Sequence, residues 1–205
     1  MIRQARWAPW TVGVVLLASA FAASASTPAT VKLATGDWLA PRPAVAAFRL
    51  ITHAGRVFTQ ADLAGQWSMV FFGYTHCADL CPTTLVTLAS LERRERATGS
   101  KGPQVLFVGA DAARDTPRDV HDFVRRFDRS FIGLSSPDQG TIDRFARSLD
   151  TGVIVHGEQR GNYSVDHTGG IFVVDPQGAL AAVLTGPLTA ATLQADFDRI
   201  VAAGR

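Results

Sequence analysis

Cys77 and Cys81 are the only cysteines in the chain, and three residues separate them in the stretch FFGYTHCADLCPTTL that starts at Phe71. The apolar run 69–72 reads as the end of a buried strand, 73–80 as a turn, and Pro82 onward as a helix. Both thiols therefore fall where a strand hands over to a helix. Proline is favoured at the first helical position, which makes Cys81 the expected N-cap. A thiol at the positive end of a helix dipole is expected to have a lowered pKa, and the thiolate is the form that attacks disulfides and binds metals. The Cys-x-x-x-Cys spacing is one residue longer than that of the thioredoxin-like redox motif. Three intervening residues allow both sulfurs to face one point, either each other or a shared metal ion. A purely structural bridge is the weaker reading, because closing so short a loop removes little chain entropy.

The elements that must position these thiols alternate in type. Residues 48–58 read as a hairpin with Gly55 in its turn, 67–72 as a strand, and 82–98 as a helix with Leu85, Leu88, Ala89 and Leu91 inward. A continuous apolar strand at 104–109 precedes Asp111. Thr116 caps the next helix, with Pro117 at its first position and Asp119 placed to reach back. A strand at 131–134, a helix to about residue 149, and a hairpin of 151–156 with 162–165 follow. The buried strand 171–174 turns back at Asp175-Pro176-Gln177-Gly178 into 179–184, and Thr189 opens a final helix. This order describes an α/β fold with a mixed central sheet flanked by helices. With thiols at the first strand-to-helix junction, the expected architecture is thioredoxin-like, and its ligands belong at the carboxyl ends of the strands.

Residues 1–25 are a different material, with Arg3 and Arg6 followed by an apolar run, no acid, and Ala23-Ser24-Ala25 at the end. They read as a signal peptide or, since 7–25 approaches the roughly 20 residues that span a bilayer, an uncleaved N-terminal membrane anchor. Residues 26–47, rich in Ala, Pro, Ser and Thr, read as a tether, and 48–205 as the folded domain. The expected location is the periplasm, or the periplasmic side of the inner membrane if the leader is retained. Without the leader's two arginines, Lys plus Arg falls from 20 to 18, equal to the 18 acids. No basic stripe of the kind nucleic-acid binding needs is apparent.

The motifs FFGYTHCADLCPTT at 71–84, GADAARDTP at 109–117 and VDHTGGIFVVDPQG at 165–178 resemble the Sco/SenC family, the thioredoxin-like copper chaperones linked to assembly of the dinuclear copper site of cytochrome c oxidase. The resemblance spans about residues 48–200. It implies that Cys77, Cys81 and His167 ligate copper, and that the partners are a copper-bearing oxidase subunit and a periplasmic copper donor. Ala78 and Ala110 depart from the family pattern, which often has proline and valine there. The residue chemistry is compatible with this reading. Soft thiolates favour Cu(I), imidazole suits copper in either state, and the same donor set also suits zinc. Export and the resemblance decide for copper.

His167 sits just before a buried strand expected beside the cysteine-bearing one. Asp166 is a candidate partner for its ring. His76 is expected to face solvent or gate the site, and His53, His121 and His156 to lie on the surface. Asp79 is expected to oppose the helix effect on the thiols, with Asp111 and Asp115 at the rim. The alternative function is a thiol–disulfide oxidoreductase in which Cys77 reacts and Cys81 resolves. The absence of a proline before 171–174 argues against a general reductase but allows a dedicated one. A peroxide-reducing enzyme is weaker still, because no activating arginine adjoins the first thiol.

Overall fold

The computed structural model describes residues 31–156 and 163–204. Ten strands and four α-helices follow in chain order: β1 (Gly36–Trp38), β2 (Arg49–Thr52), β3 (Val57–Thr59), β4 (Ser68–Gly73), α1 (Leu80–Thr98), β5 (Gln104–Gly109), α2 (Pro117–Val124), β6 (Ile132–Ser135), α3 (Gln139–Ser148), β7 (Val153–Val155), β8 (Val165–His167), β9 (Ile171–Val174), β10 (Leu180–Leu184) and α4 (Ala190–Ala203). Eight strands form one mixed sheet in the order β1-β10-β9-β4-β5-β6-β2-β3, and β7 with β8 makes a separate two-stranded ribbon. Only β4–β5 and β5–β6 run parallel.

The continuous apolar runs are split by the two-residue period of a strand into two cores. Met69, Phe71, Val105, Phe107, Ile171 and Val173 point to the face covered by α1, α2 and α4, where Leu85, Leu88, Leu91, Phe123, Leu193 and Phe197 meet them. Val70, Phe72, Leu106, Val108, Phe172 and Val174 point to the other face, onto Ile142, Phe145 and Ala146 of α3. The result is a thioredoxin-like α/β fold, with β4 at the centre and all six of its residues buried.

The expected strands at 104–109 and 171–174 are β5 and β9. Arg49–Thr52 and Val57–Thr59 pair as a hairpin, with Gly55 at φ 81° in its turn. Thr116 caps α2 by accepting from the Asp119 N–H at 3.3 Å. The Asp119 carboxylate meets the Thr116 hydroxyl rather than its backbone.

Two expectations shift. The segment read as tether enters the fold well before residue 48: β1 pairs with β10, with Gly36 opposite Leu184. Just ahead of it, buried Asp196 accepts from the N–H groups of Ala34 and Thr35, each at 2.8 Å, and from the Thr35 hydroxyl at 2.7 Å. Composition alone reads this segment as linker because its ties run to residues far along the chain. The second shift concerns the late hairpin, where Val153 pairs with His167 and Val155 with Val165, placing its second strand beyond the expected 162–165. Among the described residues no helix is long and apolar enough to cross a membrane, and the leader lies outside them.

Candidate metal centre

β4 ends at Gly73, and a turn closed by the Cys77 N–H donating to the Tyr74 carbonyl at 3.1 Å leads into α1. Asp79, not Cys81, is the N-cap, so Cys81 is the second helical residue and Pro82 the third. Proline is tolerated there for the reason it was expected at the first position, since first-turn N–H groups have no partner within the helix. The free Cys81 N–H instead donates to the Cys77 sulfur at 3.3 Å. The positive end of the helix is thus aimed at Cys77.

Cys81 is fully buried and packs directly under the end of β4. A Cβ on Gly73 would lie 2.9 Å from its sulfur and 2.7 Å from the Phe107 ring, so glycine is what lets the thiol seat there. Burial raises the Cys81 pKa well above the ordinary thiol value, and the neighbouring Cys77 adds to the rise. This overturns the expected lowering: desolvation outweighs the helix dipole once the sulfur leaves water. Both thiols are free.

His167 ends β8, and the chain then passes through Gly169 and Gly170 into β9. Ile171 lies opposite Phe71 of β4, which brings this segment to the same sheet edge as the cysteine loop. The His167 Nε2 lies 3.4 Å from the Cys81 sulfur. Its Nδ1 lies 3.3 Å from the Thr168 carbonyl, a contact that assigns the proton to Nδ1 and leaves the Nε2 lone pair facing the thiols. Burial lowers the His167 pKa, against smaller raising effects from Thr168 and Asp166, and so favours the neutral ring that a metal requires. The ring meets Phe71 and Tyr74 edge-on at 5.8 and 5.9 Å between centroids.

The ligand atoms of Cys77, Cys81 and His167 lie within 4.8 Å of one another, the one such group of three among the described residues. Two sulfurs and one imidazole nitrogen form a soft donor set that fits copper in either common state, as well as zinc. Other candidates fall away from it. His76 is exposed and contacts the Thr75 hydroxyl at 3.2 Å. Asp166 pairs with His156 at 2.5 Å instead of orienting His167. Asp79 is exposed and makes no side-chain cap. His53 is half-buried rather than on the surface, with its Nδ1 accepting from the Gly133 N–H at 2.9 Å.

Asp111 and Asp115 are not rim groups, being 0% and 1% exposed. Arg114 and Tyr163, which bind the Asp111 carboxylate, were not singled out by the sequence. The available signal was three charged residues, Asp111, Arg114 and Asp115, just after a strand buried along all but its first residue, where backbone amides and ions need partners.

A family model described as SCO1/SenC matches residues 39–202. The chain belongs to the SCO1/SenC family. Within this family it is 32% identical over 164 residues to a Stutzerimonas stutzeri protein provisionally described as copper-binding, covering 80% of each chain. It is 33% identical over 131 residues to the mitochondrial SCO1 homolog 1 of Arabidopsis thaliana, covering 63% of this chain but only 39% of that one. The crystal structure of Arabidopsis thaliana ScoI with copper bound is 27% identical, with a TM-score of 0.70 over 77% of this chain and 97% of that one. The two departures from the SCO1/SenC pattern leave the donor atoms alone. Ala78 is exposed in the cysteine turn, and buried Ala110 donates its N–H to the Gly73 carbonyl at 2.7 Å.

Proposed function

We propose that this SCO1/SenC protein binds one copper ion through Cys77, Cys81 and His167 and passes it to the copper-bearing subunit of cytochrome c oxidase. The exchange would take place on the periplasmic side of the inner membrane, with residues 1–25 as export signal or anchor. The observation that carries the reading is the imidazole Nε2, 86 residues away in sequence, at 3.4 Å from the buried Cys81 sulfur. Family members are described as cytochrome c oxidase assembly proteins.

The three donors differ in access. Cys77 and His167 are half-exposed, whereas Cys81 is sealed. Incoming ligands from a donor or recipient protein would replace the two accessible groups first, leaving Cys81 as the last bond broken. Loading must displace the Cys81 proton, so uptake releases protons and strengthens with rising pH.

The test is anaerobic titration of the full chain with Cu(I) and Cu(II). One equivalent should bind, with thiolate-to-Cu(II) charge-transfer absorption. His167→Ala should weaken Cu(II) binding while leaving the dithiol able to oxidise, and unchanged Cu(II) binding in this variant would reject the ligand assignment.

A second reading rests on the two free thiols and their unequal burial. The Cys77 thiolate would attack one sulfur of a target disulfide and expel the other as a thiolate that takes up a proton. The Cys81 thiolate, after losing its proton, would then attack the Cys77 sulfur, releasing the reduced target and leaving a Cys77–Cys81 disulfide. Stoichiometric reduction of an oxidised oxidase subunit by copper-free protein would favour this reading.

A further inference from the structure

The turn at 111–115, between β5 and α2, is bonded to both sides of the metal centre at once. On one side, buried Asp115 accepts from the Thr75 N–H at 2.9 Å and the Thr75 hydroxyl at 2.8 Å, two residues before Cys77. Asp115 also accepts from the Asp111 N–H at 3.0 Å. It can sit this close to β5 because residue 109 is glycine: a Cβ there would lie 2.6 Å from the Asp115 Cβ.

On the other side, the fully buried Asp111 carboxylate accepts from the Tyr163 hydroxyl at 2.7 Å and from Arg114 Nε at 2.5 Å. The Arg114 guanidinium lies 3.6 Å from the Tyr163 ring centroid, and its Nη2 donates to the Tyr163 carbonyl at 3.2 Å. Tyr163 leads into β8, four residues before His167. Charge-assisted bonds and a cation over an aromatic face are the stronger polar contacts available to a protein.

The ribbon that carries His167 has few other polar ties among the described residues. β7 and β8 pair only with each other. Ile154 at its centre is 58% exposed. The Thr151 and Thr168 hydroxyls meet at 2.8 Å. Beside these polar ties, β8 is held by apolar packing: Val165 is buried, and the His167 ring meets Phe71 and Tyr74 edge-on.

We infer that Asp111, Arg114 and Tyr163 are positioning residues that hold the His167 imidazole at bonding distance from the cysteine pair, and so set how strongly the site prefers Cu(II) over Cu(I). This rests on the copper reading above. The two thiolates alone satisfy a soft Cu(I) ion, whereas Cu(II) draws more on the imidazole. A loosened clamp should therefore be felt mainly in the oxidised state.

The test uses the full chain as wild type, Arg114→Gln, Tyr163→Phe, His167→Ala and the double variant Arg114→Gln/His167→Ala. Cu(II) and Cu(I) affinities are measured by chelator competition, together with the Cu(II) absorption spectrum. Arg114→Gln should weaken Cu(II) binding roughly 10–100-fold, the range typical of groups that orient a metal ligand. It should also move the charge-transfer band toward that of His167→Ala, while changing Cu(I) affinity by less than about threefold. Tyr163→Phe, which removes one hydroxyl and keeps the ring, should move in the same direction by less. On the His167→Ala background, Arg114→Gln should have no further effect on Cu(II). An unchanged Cu(II) affinity in Arg114→Gln, an equal loss for both oxidation states, or an undiminished loss in the double variant would overturn the inference.

Hydrogen exchange of the copper-free protein separates this outcome from failure of the copper reading. Arg114→Gln should speed exchange at 165–167 and leave 171–174 protected. If His167→Ala binds Cu(II) normally, the copper reading fails, and the clamp stands only if this exchange difference is present. Equal exchange in the two proteins removes the clamp.

Discussion

Cys81 is the second residue of a nineteen-residue helix and lies beneath the end of a six-residue strand paired on both sides, whereas His167 ends a three-residue strand whose one strand partner among the described residues is another of three residues. The first donor is held by the core itself: Phe71, Leu85, Leu88 and Phe107 belong to the same buried cluster as its sulfur. The second is held by edge-on contacts with Phe71 and Tyr74 and by a handful of polar contacts around a two-stranded ribbon. One fixed donor and one adjustable donor suit the proposed role, in which the site would keep an ion and also surrender it. A centre with three core-packed ligands would have no obvious first bond to release.

This contrast can be broken most forcefully from the cysteine side. Leu85→Ala, under the first turns of α1, should cost about 2–5 kcal/mol of stability, as measured by denaturant unfolding, because it opens a cavity in the larger core. Gly73→Ala should cost roughly 1–3 kcal/mol through the clash with the Cys81 sulfur and the Phe107 ring. It should also reduce metal binding in both oxidation states, which equilibrium dialysis would read; normal binding would mean that the thiol is less fixed than its burial implies.

At the far end of the same helix, buried Glu92 provides a pH-dependent comparison. Its Oε1 has no partner, and burial raises its pKa to about 7, despite the opposing charge of Arg96 and with a smaller push from Asp128 and Glu95. A raised carboxyl pKa means that the fold favours the protonated form. Its contribution is fully present below the unfolded value near 4.5 and is lost as pH rises through about 7. Glu92→Gln should therefore raise the thermal midpoint at pH 8 relative to wild type, with the difference shrinking toward pH 5. A difference that stays constant with pH would show that Glu92 does not titrate in this range.

The smallest effect is expected on the ribbon. Ile154→Thr at its exposed centre should change stability by no more than about 0.5 kcal/mol. A loss comparable to that of Leu85→Ala would show that the histidine side is as much a part of the core as the cysteine side.

Much of the frame is legible in the chain. The unbroken apolar runs that become β4, β5 and β9 can be buried on both faces only at the centre of a mixed sheet, and Thr116-Pro117 and Thr189 mark helix starts by capping chemistry that is local. Where local chemistry competes with tertiary burial, the expectation fails. Cys81 is a helix-terminal thiol by position, yet its pKa rises because Gly73 and Phe107 seal it from water. Asp111 and Asp115 read as rim acids because carboxylates normally seek solvent, yet both are buried and bonded to partners on two other segments, at Thr75 and at Tyr163. The strand at 36–38 escapes notice because its main tie is a pairing with the distant residues 182–184.

By itself the sequence determined the inventory: two thiols at a spacing that lets them converge, a histidine ahead of a buried strand, and apolar periods that build the sheet presenting them. Such properties depend on near neighbours along the chain, so they can be read there. Only the tertiary structure decided which thiol loses water, that the His167 Nε2 rather than Nδ1 faces the sulfurs, and that the turn at 111–115 bonds to both halves of the site. Those outcomes depend on solvent exclusion and on contacts between residues 40 to 86 positions apart, and both come into being only when the sheet closes.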